Sequence, residues 1–146
     1  MRNLELALKA AGDPTRTRIL KLLEAGGLCV CQVQAVLGLA PSTVSKHLAI
    51  LKTAGLVEDR REGKWIEYAL SSGETNPYAR ALLAMLRGPL DRDPGILADR
   101  KRLREVRAVP REELCNLMPA RVSNPHPPRR GRTPRRVTHW QRNLGS

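Results

Sequence analysis

The residues of this sequence best suited to chemistry are its cysteines. Cys29 and Cys31 lie two residues apart in Leu-Cys-Val-Cys, and Cys115 lies far along the chain. In a regular helix the first two side chains would point about 200° apart, whereas extended chain points them the same way. We expect extended chain to enter a helix here, so that both thiols converge near the positive helix end, which favours the thiolate.

A firmly held ion needs at least one ligand more than this pair, and Cys115 is the only other cysteine. Three thiolates without a neighbouring His or carboxylate cluster predict a soft ion. As(III) and Sb(III) bind three sulfurs, and Cd(II) and Pb(II) also accept sulfur-rich sites. Two alternatives stay open: each cysteine is only a small apolar residue, or Cys115 oxidises onto Cys29 or Cys31.

The charge of the chain points to a polyanionic partner. Lys and Arg number 26 against 14 Asp and Glu, a formal net charge of +12. Nucleic acid is the first candidate and an anionic membrane surface the second. Between residues 119 and 146 the chain has seven arginines, five prolines and no acid, which predicts a disordered basic tail. We therefore expect a main domain over 1–88, a helical extension over 89–118 and this tail.

Apolar spacing, Gly and Pro predict the elements that position the cysteines. Asp13-Pro14 and Asn76-Pro77 are typical helix starts, and Gly38 makes a turn between two helices. The predicted order is helices over 3–11, from 14 to Gly26, 31–37 and 41–54, strands over 56–60 and 65–70, then helices over 76–87 and from 93–94 onward, with a short segment 111–118.

The predicted strands and the helix after them each have an expected buried face. Ile66, Tyr68 and Leu70 alternate along the second strand, and Gly63 can supply the positive φ of a hairpin turn. The helix over 76–87 is expected to turn its apolar residues inward, namely Tyr78, Leu82, Met85 and Leu86.

Helix, helix, turn, helix and hairpin is the order of a winged helix-turn-helix, a mostly α fold with a β-hairpin wing. The helix over 41–54 would enter the major groove of DNA. Polar side chains on its first turns can reach bases or phosphates, and basic side chains on the helix and hairpin can hold the backbone. The candidate DNA-binding residues are Ser42, Thr43, Ser45, Lys46, His47, Lys52, Arg60, Arg61 and Lys64. For Lys52 and Arg60, an ordinary solvent-exposed charge is as good an interpretation as a DNA contact.

Several motifs follow one another in order between residues 4 and 87. They are Gly12-Asp13-Pro14-Thr15-Arg16, Leu28-Cys29-Val30-Cys31, Leu37-Gly38-Leu39, Thr43-Val44-Ser45-Lys46-His47-Leu48, Ala54-Gly55-Leu56-Val57 and Arg60-Arg61-Glu62-Gly63-Lys64-Trp65. Together they resemble the ArsR/SmtB family of metal-responsive repressors. The resemblance implies a homodimer built from the first and fifth helices, and release from operator DNA when metal binds.

Within that family, the cysteines favour the arsenic-sensing branch. Arsenic sensors often have a third Cys three residues after Cys-Val-Cys, where this chain has Gln34, and cadmium/lead sensors recruit N-terminal cysteines that are absent here. A Cys downstream of the fifth helix resembles a third group of arsenic sensors, which makes Cys29, Cys31 and Cys115 the candidate ligands. The Asp and His pattern of zinc sites is missing from 76–88.

Other classes of function are less well supported. An enzyme would need a phosphate loop, paired carboxylates or a nucleophile with its base, and none is recognisable. A non-specific nucleic-acid-binding protein that works through its tail is an alternative of a different class. The lack of a secretory segment and of a membrane-length apolar run predicts a cytoplasmic protein.

Overall fold

The computed structural model describes residues 1–117, so the predictions for the tail over 119–146 lie outside the described residues. The elements are α1 (Arg2–Ala11), α2 (Pro14–Leu23), β1 (Leu28–Cys29), α3 (Val30–Leu37), α4 (Pro41–Thr53), β2 (Val57–Glu62), β3 (Trp65–Leu70), α5 (Ala79–Met85), a 3-10 turn (Pro89–Arg92), α6 (Pro94–Arg107) and α7 (Arg111–Leu117).

Side-chain caps fix the starts of two helices. The Asp13 carboxylate accepts a hydrogen bond from the Arg16 amide at 3.0 Å and begins α2. Asp93 caps α6 in the same way through the amides of Gly95 and Ile96. Gly38 ends α3 in the left-handed conformation, which turns the chain towards α4.

The sheet has three antiparallel strands in the order β1-β3-β2. The β2–β3 hairpin turns at Gly63, whose φ is +59°. On the other edge of β3, Leu28 pairs with Tyr68 and Cys29 pairs with Glu67. The pairing of β1 ties the cysteine segment to the hairpin, a contact that the sequence did not predict.

The main core lies between α2, α3, α4 and the sheet. Its fully buried large side chains are Ile19, Leu20, Leu22, Leu28, Val33, Val36, Val44, Leu48, Leu51 and Leu56. This core combines the apolar faces predicted for α2 and α4 with that of α3. The order of elements confirms the predicted winged helix-turn-helix, with α3 and α4 as the helix pair and the hairpin as the wing.

Two predicted buried faces are partly wrong. Ile66 is 51% exposed, while its neighbour Glu67 is buried. In the helix predicted over 76–87, Leu82 is buried but Tyr78 and Met85 are 42% and 67% exposed. The other members of both predicted faces do meet the core, since Tyr68 and Leu70 pack against it and Leu86 is buried like Leu82.

The extension after residue 88 packs on the main domain. Leu103 and Val106 of α6 join the core cluster, as does Leu114 of α7. The Arg18 guanidinium donates two hydrogen bonds of 2.8 Å to the buried Asp99 carboxylate, which joins α2 to α6. Within residues 1–117 no helix is both long and apolar enough to cross a membrane.

Candidate nucleic-acid interface and thiol site

The α4 helix presents a polar face to solvent. Pro41 occupies its first turn, and Ala40 precedes it at the cap position without a side-chain hydrogen bond. Val44 and Leu48 are buried, while Ser42 and Ser45 are exposed. Lys46 is exposed beside them and Thr43 is half-buried. These residues occupy the position expected for base and phosphate contacts, and their contact with DNA stays a prediction.

His47 differs from the rest of this face because its side chain contacts Arg16 of α2. Its Nδ1 lies 3.3 Å from Nη1 of Arg16, and the Arg16 Nε donates to the Ala10 carbonyl at 2.6 Å. Burial lowers the pKa of His47, which favours the neutral ring. A neutral ring can accept from the guanidinium, so His47 links α4 to α2 whether or not it also contacts DNA.

The basic side chains of the wing region already hold carboxylates. Lys52 pairs with Asp59 at 2.9 Å, Arg60 pairs with Glu67 at 2.8 Å, and Lys64 pairs with Glu112. All three cations are more than half exposed, and exposed ion pairs are weak. Lys52 and Lys64 can therefore exchange a carboxylate for a phosphate at little cost, whereas Arg60 also holds the buried Glu67 carboxylate.

Arg61 and Lys64 lie at the hairpin end of the wing. Arg61 is exposed, and its Nε donates only a long hydrogen bond of 3.4 Å to the Gly63 carbonyl. The Lys64 ammonium lies 5.2 Å from the centre of the Trp65 ring, within cation–π range. Trp65 therefore packs under a wing cation.

The thiol site joins two distant parts of the chain. A disulfide links Cys31, on the first turn of α3, to Cys115 on α7, with their Cα atoms 5.6 Å apart. The sequence had predicted free thiols, and this bond corrects that prediction for both residues. It matches the alternative in which Cys115 oxidises onto one of the paired cysteines.

Cys29 is a free, buried thiol at the end of β1. Its backbone is extended and its amide donates to Oε1 of Gln32 at 3.0 Å, while Val30 already begins α3. Cys29 and Cys31 therefore lie on either side of the strand-to-helix junction, as expected.

The donor set fits a soft ion only after the disulfide is reduced. Within residues 1–117 no three His, Cys, Asp or Glu side chains are gathered so that they could hold a metal ion. Reduction would release two sulfurs that already lie within bonding distance, with Cys29 two residues away. Ligation by all three cysteines stays a prediction.

Sequence reasoning missed three charged residues around this site, namely Glu67, Arg111 and Glu112. Glu67 is buried in β3, where it accepts from Arg60 at 2.8 Å and from Arg111 at 2.7 Å. These two arginines lower the pKa of Glu67. Glu112 holds Lys64, which lowers the pKa of Glu112. No local signal identifies them, because their partners lie up to 48 residues away.

A helix-turn-helix with an exposed polar α4, a basic wing and paired cysteines at the start of α3 defines a DNA-binding regulator. Residues 13–59 match the family described as "Bacterial regulatory protein, arsR family". The "Arsenic resistance transcriptional regulator ArsR1" of Pseudomonas putida is 35% identical over 112 residues, covering 75% of this chain and 84% of that protein. The chain belongs to the arsR family of bacterial transcriptional regulators.

Two further comparisons place the chain within this family. The "Arsenical resistance operon repressor" of Escherichia coli is 45% identical over 64 residues, 43% of this chain and about half (55%) of that protein. A homodimeric winged helix-turn-helix domain from Mycobacterium bovis, described as a possible ArsR-family regulator, has a TM-score of 0.53 at 29% identity, covering 64% of this chain and 82% of that one. Membership of a regulator family confirms that the chain is not an enzyme.

Proposed function

We propose that this chain is a homodimeric repressor of a metal(loid)-resistance operon in the cytoplasm. It leaves its operator when As(III) or Sb(III) binds the thiolates of Cys29, Cys31 and Cys115. The observation that carries the proposal is the juxtaposition of Cys31 and Cys115, 84 residues apart in sequence, with Cα atoms 5.6 Å apart. Arsenic resistance in the names of two relatives supports the choice of ion.

The proposed ligand chemistry balances without an external oxidant. Arsenous acid, As(OH)₃, exchanges its three hydroxyls for three cysteine sulfurs, and the three thiol protons leave in three waters. The Cys31–Cys115 disulfide must first be reduced by two cellular thiol groups, which give up two electrons and two protons and become a disulfide themselves.

The DNA side of the proposal uses α4 and the wing. The polar first turns of α4 would lie in the major groove, while Arg60, Arg61 and Lys64 hold flanking phosphates. Exposed apolar side chains on α1 and α5 support a dimer, because Leu8 and Met85 are 52% and 67% exposed. The homodimeric state of the structural relative from Mycobacterium bovis supports it too.

Serine substitutions test the ligand assignment. Cys29→Ser and Cys31→Ser should leave operator binding intact and abolish release by As(III), because neither thiol lies on α4 or the wing. A coupling of about 1–3 kcal/mol, or about 5–150-fold in operator affinity, is the usual size of such a switch. Val30→Ala, between the two cysteines, is the matched control and should keep normal release. Normal release from either serine variant would contradict the site.

Cys115→Ser should have a weaker effect on release. The remaining pair should bind As(III) more loosely, and an added small thiol should partly restore affinity. Unchanged affinity without added thiol would show that Cys115 is not a ligand.

The disulfide itself favours a second candidate function, release by oxidation. Here a hydroperoxide takes two electrons and two protons from Cys31 and Cys115, which become the disulfide while the peroxide leaves as water and an alcohol or second water. Cys29→Ser separates the two functions. Oxidative release would survive this substitution, whereas release by As(III) would not.

A further inference from the structure

The α7 helix contacts both the thiol site and the wing. Its Cys115 is bonded to Cys31, its Arg111 donates to Glu67 of β3 at 2.7 Å, and its Glu112 pairs with Lys64 at the hairpin end of the wing. We call the last two ion pairs the α7–wing contact. One seven-residue helix thus bridges the cysteines and a side chain predicted to bind phosphate.

Spacing along α7 makes these contacts interdependent. Residues three and four apart lie on the same side of a helix. Cys115 is four residues after Arg111 and three after Glu112, so a sulfur bond at Cys115 holds both side chains towards β3 and the wing. Leu114 is the only buried residue of α7, and helices this short are unstable without tertiary contacts. The sulfur bond is therefore a major restraint on α7.

Glu67 gives α7 a fixed point of attachment. One carboxylate oxygen accepts from Arg60 and the other from Arg111, and the side chain is only 9% exposed. The carboxylate lies against Gly27, where an added Cβ would come within 2.0 Å of Oε1. In the sheet, Glu67 also pairs directly with Cys29. The anchor thus adjoins the third cysteine.

We propose that α7 is an internal acidic cover for the wing, set in place by sulfur bonding at Cys115. When Cys115 is tied to Cys31, by a disulfide or through a shared ion, Glu112 neutralises Lys64 and occupies the side chain that would bind phosphate. When Cys115 is a free thiol, α7 loosens and Lys64 is available to DNA. The inference rests on the proposed function, since it explains how thiol chemistry lowers operator affinity.

Charge-neutral variants of the two adjacent acids test the cover. Glu112→Gln removes the partner of Lys64, whereas Glu113→Gln removes an equal charge from an exposed neighbour for which the structure records no ion pair among residues 1–117. Operator affinity is measured over a salt series for the reduced and the disulfide-bonded forms of each protein, with thiol titration to confirm each state.

In wild type, forming the disulfide should weaken operator binding and flatten the salt dependence by about one unit of slope per protomer, the loss of one phosphate contact. The disulfide-bonded E112Q protein should bind about two- to fivefold more tightly than disulfide-bonded wild type, the range for one exposed ion pair, and should lose the change in slope. E113Q should keep that change. In a Lys64→Gln background, E112Q should no longer raise affinity.

Equal behaviour of E112Q and E113Q would overturn the cover, as would an effect of E112Q that persists in the Lys64→Gln background. Failure of the proposed function is visible separately in wild type, where neither As(III) nor the disulfide would change operator affinity. That result would overturn both proposals. If wild type does release the operator but E112Q and E113Q have the same operator affinity, only the cover is overturned.

Discussion

Replacing Asp99 by Asn should loosen α6 from α2 and weaken the whole fold. Asp99 is the one buried carboxylate on α6, and it accepts two hydrogen bonds of 2.8 Å from Arg18. Ile96, Leu103 and Val106 lie on the same buried face of that helix. The asparagine keeps one acceptor oxygen but loses the charge and one of the two bonds.

The size of the effect follows from the exposure of the two partners. Breaking a fully buried ion pair costs about 3–5 kcal/mol. The Arg18 side chain is 36% exposed and can be rehydrated, so the loss is nearer to that of one hydrogen bond to a charged group, about 2 kcal/mol. For a domain of this size that lowers Tm by about 6–8 °C. Because α6 leads to α7, the disulfide between Cys31 and Cys115 should also form more slowly.

Urea unfolding under reducing conditions measures the stability, and thiol trapping during oxidation measures the disulfide. Glu105→Gln is the matched control, since it removes one acid from an exposed position on the same helix and should change stability by less than about 0.5 kcal/mol. Equal unfolding midpoints for the Asp99 and Glu105 variants would refute the role given to the Arg18 pair.

Three further predictions address the α2–α4 link, the Glu67 anchor and the tail. Burial lowers the folded-state pKa of His47, so the unfolded chain takes up the proton first as pH falls from about 7 to about 5. Wild type should therefore lose stability over that pH window. The His47→Gln variant should lose less stability over the same window, as measured by urea unfolding at each pH. Gly27→Ala should displace the Glu67 carboxylate and cost about 1–2 kcal/mol of stability, with a smaller cost in a Glu67→Ala background; equal costs in both backgrounds would contradict the close approach. Deleting Pro119–Ser146 should weaken binding to operator and to random duplex alike at low salt, and should flatten the salt dependence of both affinities. The truncated protein should keep its preference for the operator and its response to As(III). Loss of that preference would mean that the tail reads sequence.

Local signals were enough to predict most of the fold. Asp13-Pro14 and Asp93-Pro94 set helix starts within a few residues, and Gly38 and Gly63 set turns that other residues adopt with strain. These effects depend only on neighbours in the chain. The order of elements, and with it the winged helix-turn-helix, could therefore be predicted without knowledge of tertiary contacts.

Which face of an element is buried depends on partners that sequence spacing does not reveal. Tyr68 and Leu70 of β3 pack against the core as predicted, yet Ile66 faces solvent and Glu67 is buried. The reason is that β1 pairs along one edge of β3 and Arg111 arrives from a helix 44 residues later. A buried carboxylate is stable there only because two arginines pair with it.

The candidate thiol site was predicted in composition but not in geometry. Cys-Val-Cys and its family resemblance indicated the first two ligands from local sequence. The position of Cys115 depends on the path of α6 over α2, which is fixed by contacts such as Arg18–Asp99, 81 residues apart. Its bond to Cys31, and the approach of Glu112 to Lys64, follow from that path and have no local signature.

The central claim, that thiol ligation releases operator DNA, is tested most directly by one titration. Reduced protein bound to a fluorescent operator is titrated with As(III), and sulfur-to-arsenic absorbance and DNA anisotropy are recorded in the same sample. Sb(III), Cd(II), Pb(II) and Zn(II) are titrated in parallel. We expect As(III) and Sb(III) to raise the absorbance and release the operator together, saturating at about one ion per protomer, as three thiolates require. As(III) binding without release, or equal release by Zn(II), would contradict the account.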